Sequence, residues 1–351
     1  MKKSLVALAA LAATGAFAQS AVTLSGNLSF GQLVNTARTV KLTSASSSVN
    51  TDSVSKTATI AGVDTFNSNR FTMTAVEDLG GGLKLTGVID NRLTTAMTDR
   101  NTGDMFVKVE GGFGAVQVGQ FTFASHAGWN AGASRSVSAL STAAQSLTPN
   151  VAVYTTPSFS GLTASAAIDM DTSAGGVGKD GWGVKFNYAA GPIGAQLSYT
   201  IAPKVTSSMT PVKVTGLAAS YDFGVVKVFY NQTDSRAGNN SVAPTANGYL
   251  AANLTTDAYT YVGGTAGSGT INAHKGNSLS VSVPMGAATL KAGFVNRKGD
   301  TNVSIVDRST VGVDYALSKR TTLIAEFGQD KQAVTGANRA TNSFVGVLHT
   351  F

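Results

Sequence analysis

Val22-Thr23-Leu24-Ser25-Gly26-Asn27-Leu28-Ser29-Phe30 places an apolar residue or a glycine at every second position and a polar residue between. A period of two is that of a strand with one apolar face, whereas a helical period of 3.6 would put serine and threonine on the buried stripe. The alternation recurs at Trp182, Val184, Phe186 and Tyr188, at Leu217, Ala219, Tyr221 and Phe223, and at Leu279, Val281 and Val283. It returns at Leu290, Ala292 and Phe294, at Val311, Val313 and Tyr315, and at Leu323, Ala325 and Phe327. These are half-apolar strands, and amphipathic helices are excluded there.

Turns decide how the strands connect. Short Gly or Pro turns lie at 79–82, 111–114, 157–161, 190–192, 222–224, 284–286 and 317–320. Seven tight turns make seven hairpins; one strand before them, near Val22 to Phe30, and one after, Ser343 to Phe351, bring the count to sixteen. An even number lets the first and last strands meet antiparallel and removes the open edge. The remaining connections are long and rich in Ser, Thr, Asn and Gly: 31–68, 93–103, 122–149, 171–180, 202–213, 232–275, 297–307 and 329–342. Short turns at one end and long loops at the other predict an all-β, 16-stranded antiparallel transmembrane barrel. A secreted sandwich or solenoid would share the alternation, but would not confine every long loop to alternate connections.

Composition agrees. With 39 Gly, no Cys and 13% charged residues in 351, a disulfide scaffold, a thiol enzyme and a Cys-ligated metal site are excluded. The 43% apolar content, evenly spread, argues against disorder. Met1-Lys2-Lys3, the apolar run Leu5 to Ala13 and Ala16-Phe17-Ala18 form a tripartite export signal, predicting a leader over 1–18 and a barrel over 19–351. Losing Lys2 and Lys3 with the leader lowers the formal charge from +7 to +5. Beyond the leader, no run reaches the ~18 apolar residues that a membrane helix needs, so any crossing uses strands.

Several stretches resemble a known family: Ala18-Gln19-Ser20-Ala21-Val22-Thr23-Leu24, Glu77-Asp78-Leu79-Gly80-Gly81-Gly82-Leu83-Lys84, Val153-Tyr154-Thr155-Thr156-Pro157-Ser158-Phe159-Ser160-Gly161-Leu162, Asp314-Tyr315-Ala316-Leu317-Ser318-Lys319-Arg320-Thr321, and the ending Val345-Gly346-Val347-Leu348-His349-Thr350-Phe351. In order and spacing they resemble a Gram-negative general porin of the β-proteobacterial trimeric type, from end to end. The resemblance implies a homotrimer in the outer membrane, in contact with its lipid and lipopolysaccharide, with the third loop folded into the lumen. It also implies passive diffusion of small hydrophilic solutes and inorganic ions, and a C-terminal aromatic, here Phe351, read by the outer-membrane assembly machinery. Where relatives read Leu-Gly-Arg, this chain reads Val118-Gly119-Gln120, so Gln120 stands at an arginine position of the family's pore.

Parity supplies the rest of the lumen. With the apolar set outward, Arg70, Lys84, Asp90, Arg92, Lys108, Glu110, Lys185, Lys227, Lys291, Arg308, Asp314 and Glu326 point inward. A base facing lipid at mid-membrane costs about 2–4 kcal/mol, which favours this assignment. The third loop, Thr122 to Pro149, adds His126 and Arg135 and no acid. Eight wall bases against four acids predict a weak to moderate anion preference.

Other chemistries find little. His126, His274 and His349 are far apart, and no G-x-S-x-G, H-E-x-x-H or P-loop occurs. Gly176-Val177-Gly178-Lys179-Asp180-Gly181 matches a dinucleotide fingerprint without its βαβ setting. Asp169, Asp171, Ser173 and Asp180 imitate a calcium loop, but Ala174 replaces the required glycine. No enzyme, cofactor, metal site or nucleic-acid partner is expected. The alternatives are a solute-specific channel, for which Trp129 is the one loop tryptophan, and a surface adhesin using 232–275.

Overall fold

The computed structural model describes residues 21–44, 47–61, 69–92, 103–124, 131, 150–170, 181–201, 213–236, 249–253, 258–262, 270–271, 273–299, 304–330 and 340–351. Their strands are β1 (Ala21–Ser44), β2 (Ser47–Ala61), β3 (Arg70–Gly80), β4 (Leu83–Arg92), β5 (Met105–Gly111), β6 (Gly114–Gln120), β7 (Val151–Thr155), β8 (Leu162–Asp169), β9 (Trp182–Ala190) and β10 (Ile193–Ile201). There follow β11 (Lys213–Asp222), β12 (Lys227–Arg236), β13 (Tyr249–Asn253), β14 (Ala258–Val262), β15 (Thr270–Ile271), β16 (Ala273–Met285), β17 (Ala288–Gly299), β18 (Ser304–Ala316), β19 (Thr321–Asp330) and β20 (Ala340–Thr350).

Sixteen of these are staves of one closed antiparallel wall. β1 pairs with β3, and β3 to β12 each pair with the next in chain order. β12 then pairs with β16, the run continues to β20, and β20 returns to β1. Every interior backbone group in such a ring has a neighbour to bond, the condition for strands to stand in hydrocarbon. The other four strands lie in two connections that the sequence reads as loops. β2 folds back along the distal half of β1, and β13 pairs with that same half at Val40 and Lys41. Their backbone pairings are not signalled by hydrophobic alternation in the sequence.

All seven tight turns fall where the sequence predicts them. Gly80, Gly81 and Gly82 hold φ of +79°, +61° and +79°, a left-handed run that side chains would resist. Asp78 Oδ1 accepts the Gly80 N–H at 2.8 Å, and Asp222 Oδ1 accepts that of Gly224 at 2.8 Å. Side-chain caps of this kind hold a turn in place of a backbone partner.

The molecule is inside out compared with a protein that folds in water. Val22 is 67% exposed and Val311 57%, whereas Ser29 and Asn231 are buried to 1% and 0%. Aromatic residues cluster at both rims of the outer face: Trp182 with Tyr199 at 5.5 Å at the loop end, and Tyr221 with Phe223 at 4.4 Å at the turn end. The ring closes at Gly26 and Phe351, whose N–H and C=O groups bond reciprocally at 3.0 Å. The Phe351 ring lies over Gly26, where a Cβ would stand 2.5 Å from its Cζ, so only glycine admits that ring.

Candidate functional site in the lumen

Inward residues on β3, β4 and β5 form two charged rungs. In the one farther from the turns, Arg70 Nη1 and Arg92 Nε reach Asp90 Oδ2 at 3.4 and 2.9 Å. Thr72 Oγ1 donates to Asp90 Oδ1 at 3.0 Å, and Arg70 Nε donates to Asn27 Oδ1 at 3.2 Å. Asp90 is 6% exposed, so this carboxylate pins two guanidinium groups flat against the wall. Register brings Lys84 opposite Glu110 in the second rung, with Lys84 Nζ at 2.6 Å and Lys108 Nζ at 2.5 Å from its two oxygens. Both rungs share one plan, a carboxylate between two bases on neighbouring staves.

Among the described residues the other walls carry fewer bridges. Lys291 Nζ meets Asp314 Oδ2 at 2.5 Å across β17 and β18. Arg308 and Glu326 are buried on the inward parity of β18 and β19. Lys185 Nζ donates to the Phe123 carbonyl at 2.7 Å and stands 4.8 Å from that ring's centre. Lys227, the first residue of β12, stands over Phe229 at 5.3 Å.

Gln120 is placed differently from its family position. It pairs with Met105, which is 50% exposed on the outer face, and alternates with the outward Val116 and Val118. His126, Arg135 and Trp129 lie outside the described residues.

A closed wall of sixteen staves with an apolar exterior and a charged interior is a water-filled passage through a bilayer. A family model described as Gram-negative porin matches residues 4–334. The chain belongs to the Gram-negative porin family. It is similar to the major outer membrane protein P.IB of Neisseria meningitidis serogroup B, 27% identical over 366 aligned residues that cover 100% of both chains. Among solved structures, an anion-selective porin from Comamonas acidovorans superposes with a TM-score of 0.61 at 20% identity, covering 95% of this chain and 100% of that one. An in-vitro folded outer membrane protein of Vibrio cholerae in trimer form gives 0.57 at 12% identity, covering 95% and 99%. This porin is an outer-membrane channel for passive diffusion.

The porin's third loop leaves β6 along the inner wall. Phe121, Phe123 and Ala124 are buried against Val151, Val153 and Ala167 of β7 and β8, with the Phe106 ring edge-on to Phe121 at 5.7 Å. Ala131 is buried on the far side of the lumen, where its N–H donates to Ser280 Oγ of β16 at 2.9 Å. The loop therefore starts on one wall and touches the opposite one.

Two further inward acids stand on the lumen parity of their strands. Asp104, just ahead of β5, has a carboxylate oxygen 3.8 Å from Arg92 Nη2. Asp169, two residues after the buried Ala167, faces inward at the last position of β8. Both sit where a strand meets a long loop, and the alternation of the strand still turns them inward.

Proposed function

We propose that this porin is a homotrimer that passes small hydrophilic solutes and inorganic ions with a weak preference for anions. The observation that carries the selectivity is the wall itself. Among the described residues, eight inward bases stand against six inward acids once Asp104 and Asp169 join Asp90, Glu110, Asp314 and Glu326. Four of the eight bases share an acid that sits between two of them and Lys291 bonds to Asp314, so the positive excess is small and spread along the pore. The similar Comamonas porin being anion-selective supports the same sign.

Two features support the trimer. β5 and β6 have 7 residues each and β7 has 5, so a tilted stave there rises only about 18 Å, short of the ~25 Å apolar band of a barrel. The outer face beside them is hollowed into a groove of about 550 Å³, lined by Val22, Met73, Ile89, Met105, Val107 and Val118. A neighbouring protomer covers a low, concave apolar wall better than lipid tails do. Export by a cleaved leader over 1–18 and recognition of Phe351 by the assembly machinery complete the reading.

A KCl gradient across a planar bilayer tests it. A zero-current potential on the anion side, largest at 0.01 M where the Debye length is about 30 Å and fading at 1 M where it is about 3 Å, is the expected result. A potential on the cation side refutes the charge argument. Liposome swelling that is non-saturable and limited by solute size separates a diffusion channel from a solute-specific one, and native mass measurement separates trimer from monomer.

A further inference from the structure

The outer face of the closing staves is layered. Register sets Tyr315 beside Leu323, Leu323 beside Val347 and Val347 beside Phe30, an exposed apolar row across β18, β19, β20 and β1. Two residues nearer the turns, Thr321 stands beside His349, with Thr321 Oγ1 and His349 Nδ1 3.0 Å apart. Next comes the turn Ser318-Lys319-Arg320. Ser318 Oγ accepts the N–H groups of Arg320 and Thr321 at 3.1 and 3.0 Å, and the Thr350 N–H donates to the Arg320 carbonyl at 2.8 Å. The backbone is thus held without help from the Lys319 and Arg320 side chains, which are exposed and enter no ion pair among the described residues. Of the seven turns, this one alone carries two bases and no acid: Asp78 and Asp222 cap two others, and the remaining four are uncharged.

We propose that this layered surface binds an anionic phospholipid of the periplasmic leaflet. Its phosphate rests on Lys319, Arg320 and the open edge of His349, and its acyl chains lie along Tyr315, Leu323 and Val347. The turn end of the barrel lies at the periplasmic leaflet, so the bases meet headgroups just where the apolar row meets tails. Charge selects the lipid, since each base near an anionic surface favours it about fivefold. His349 adds a ring at headgroup depth, where aromatic and amphipathic side chains settle.

Native mass spectrometry of the full porin in mild detergent, with phosphatidylglycerol or phosphatidylethanolamine added, tests the site. Phosphatidylglycerol is expected to be retained preferentially. The K319Q/R320Q variant should lower that retention by roughly twenty-five-fold, with single-channel conductance unchanged and heat-modifiable assembly intact. K319E/R320E should abolish it, and H349Q should weaken it less. Equal retention of the two lipids, or unchanged retention of phosphatidylglycerol in K319Q/R320Q, overturns the proposal. Displacement by an equal concentration of glycerol phosphate also overturns it, because the apolar row would then contribute nothing. If K319Q/R320Q instead loses co-sedimentation with cell-wall sacculi while keeping phosphatidylglycerol, the turn binds cell wall and the lipid assignment falls. Selectivity and oligomer mass are read separately, so failure of those readings is not mistaken for failure here.

Discussion

The barrel has a low wall and a tall wall, and they differ inside as well as out. β5 and β6 are 7 residues long, whereas β16 and β18 are 13, enough for a rise of about 33 Å. Inside the low wall, Phe121, Phe123, Val151 and Val153 make a dry apolar root for the third loop. Inside the tall wall the buried residues include the small hydroxylated Ser278, Ser280 and Thr310 beside Val295 and Arg308, and among the described residues the loop meets this wall through a hydrogen bond from Ala131 to Ser280. Among the described residues the loop is packed against the low wall and hydrogen-bonded to the tall one, two contacts of different kind.

The strongest way to break this contrast is at the root. Phe123→Ala removes a buried ring and a seat for Lys185, and should cost about 3–5 kcal/mol. Thermal unfolding of the assembled porin would move down clearly, and single-channel conductance would rise as the loop loosens. Unchanged conductance would mean that the loop is held elsewhere. Next in size is a charge on either outer face. Val311→Lys, on the tall wall in lipid, should cost about 2–4 kcal/mol near mid-membrane and lower the yield of folded barrel. Val107→Lys, in the groove of the low wall, should leave folded monomers that no longer associate, visible by native mass. Equal effects at both positions would remove the distinction between a lipid face and a protein face.

Smaller still is the far contact. Ser280→Ala deletes one hydrogen bond, about 0.5–1.5 kcal/mol, and should leave the melting temperature nearly unchanged while increasing open-channel current noise. The smallest effect is electrostatic. Asp104→Asn leaves Arg92 with Asp90 alone, adds one net positive charge to that rung, and should move the zero-current potential slightly further toward anions. A shift toward cations would place Asp104 outside the ion path.

How much of this was legible beforehand depends on where a residue sits along its stave. The seven turns and the inward charges at 70, 84, 90, 92, 108 and 110 follow from glycine placement and a period of two, because lipid on one side and water on the other enforce that period. Gln120 shows two cues in conflict: the family pattern points to the pore, while alternation with Val116 and Val118 points outward, and pairing with Met105 agrees with alternation. The extra strands β2 and β13 were illegible because neither carries a sustained period-two run of apolar residues in the sequence. The landing of Ala131 on Ser280 joins residues 149 apart, and neither carries a local signal of the contact.

The pairing of β20 with β1 carries a consequence for how the chain is made. β20 leaves the ribosome after every other stave, yet it alone covers the free edge of β19 while also covering β1. A polypeptide cut short anywhere upstream keeps two raw edges, each able to recruit foreign strands. Phe351 seated on Gly26 is thus the seam of the vessel: the wall is sealed only where the β20 edge meets that of β1.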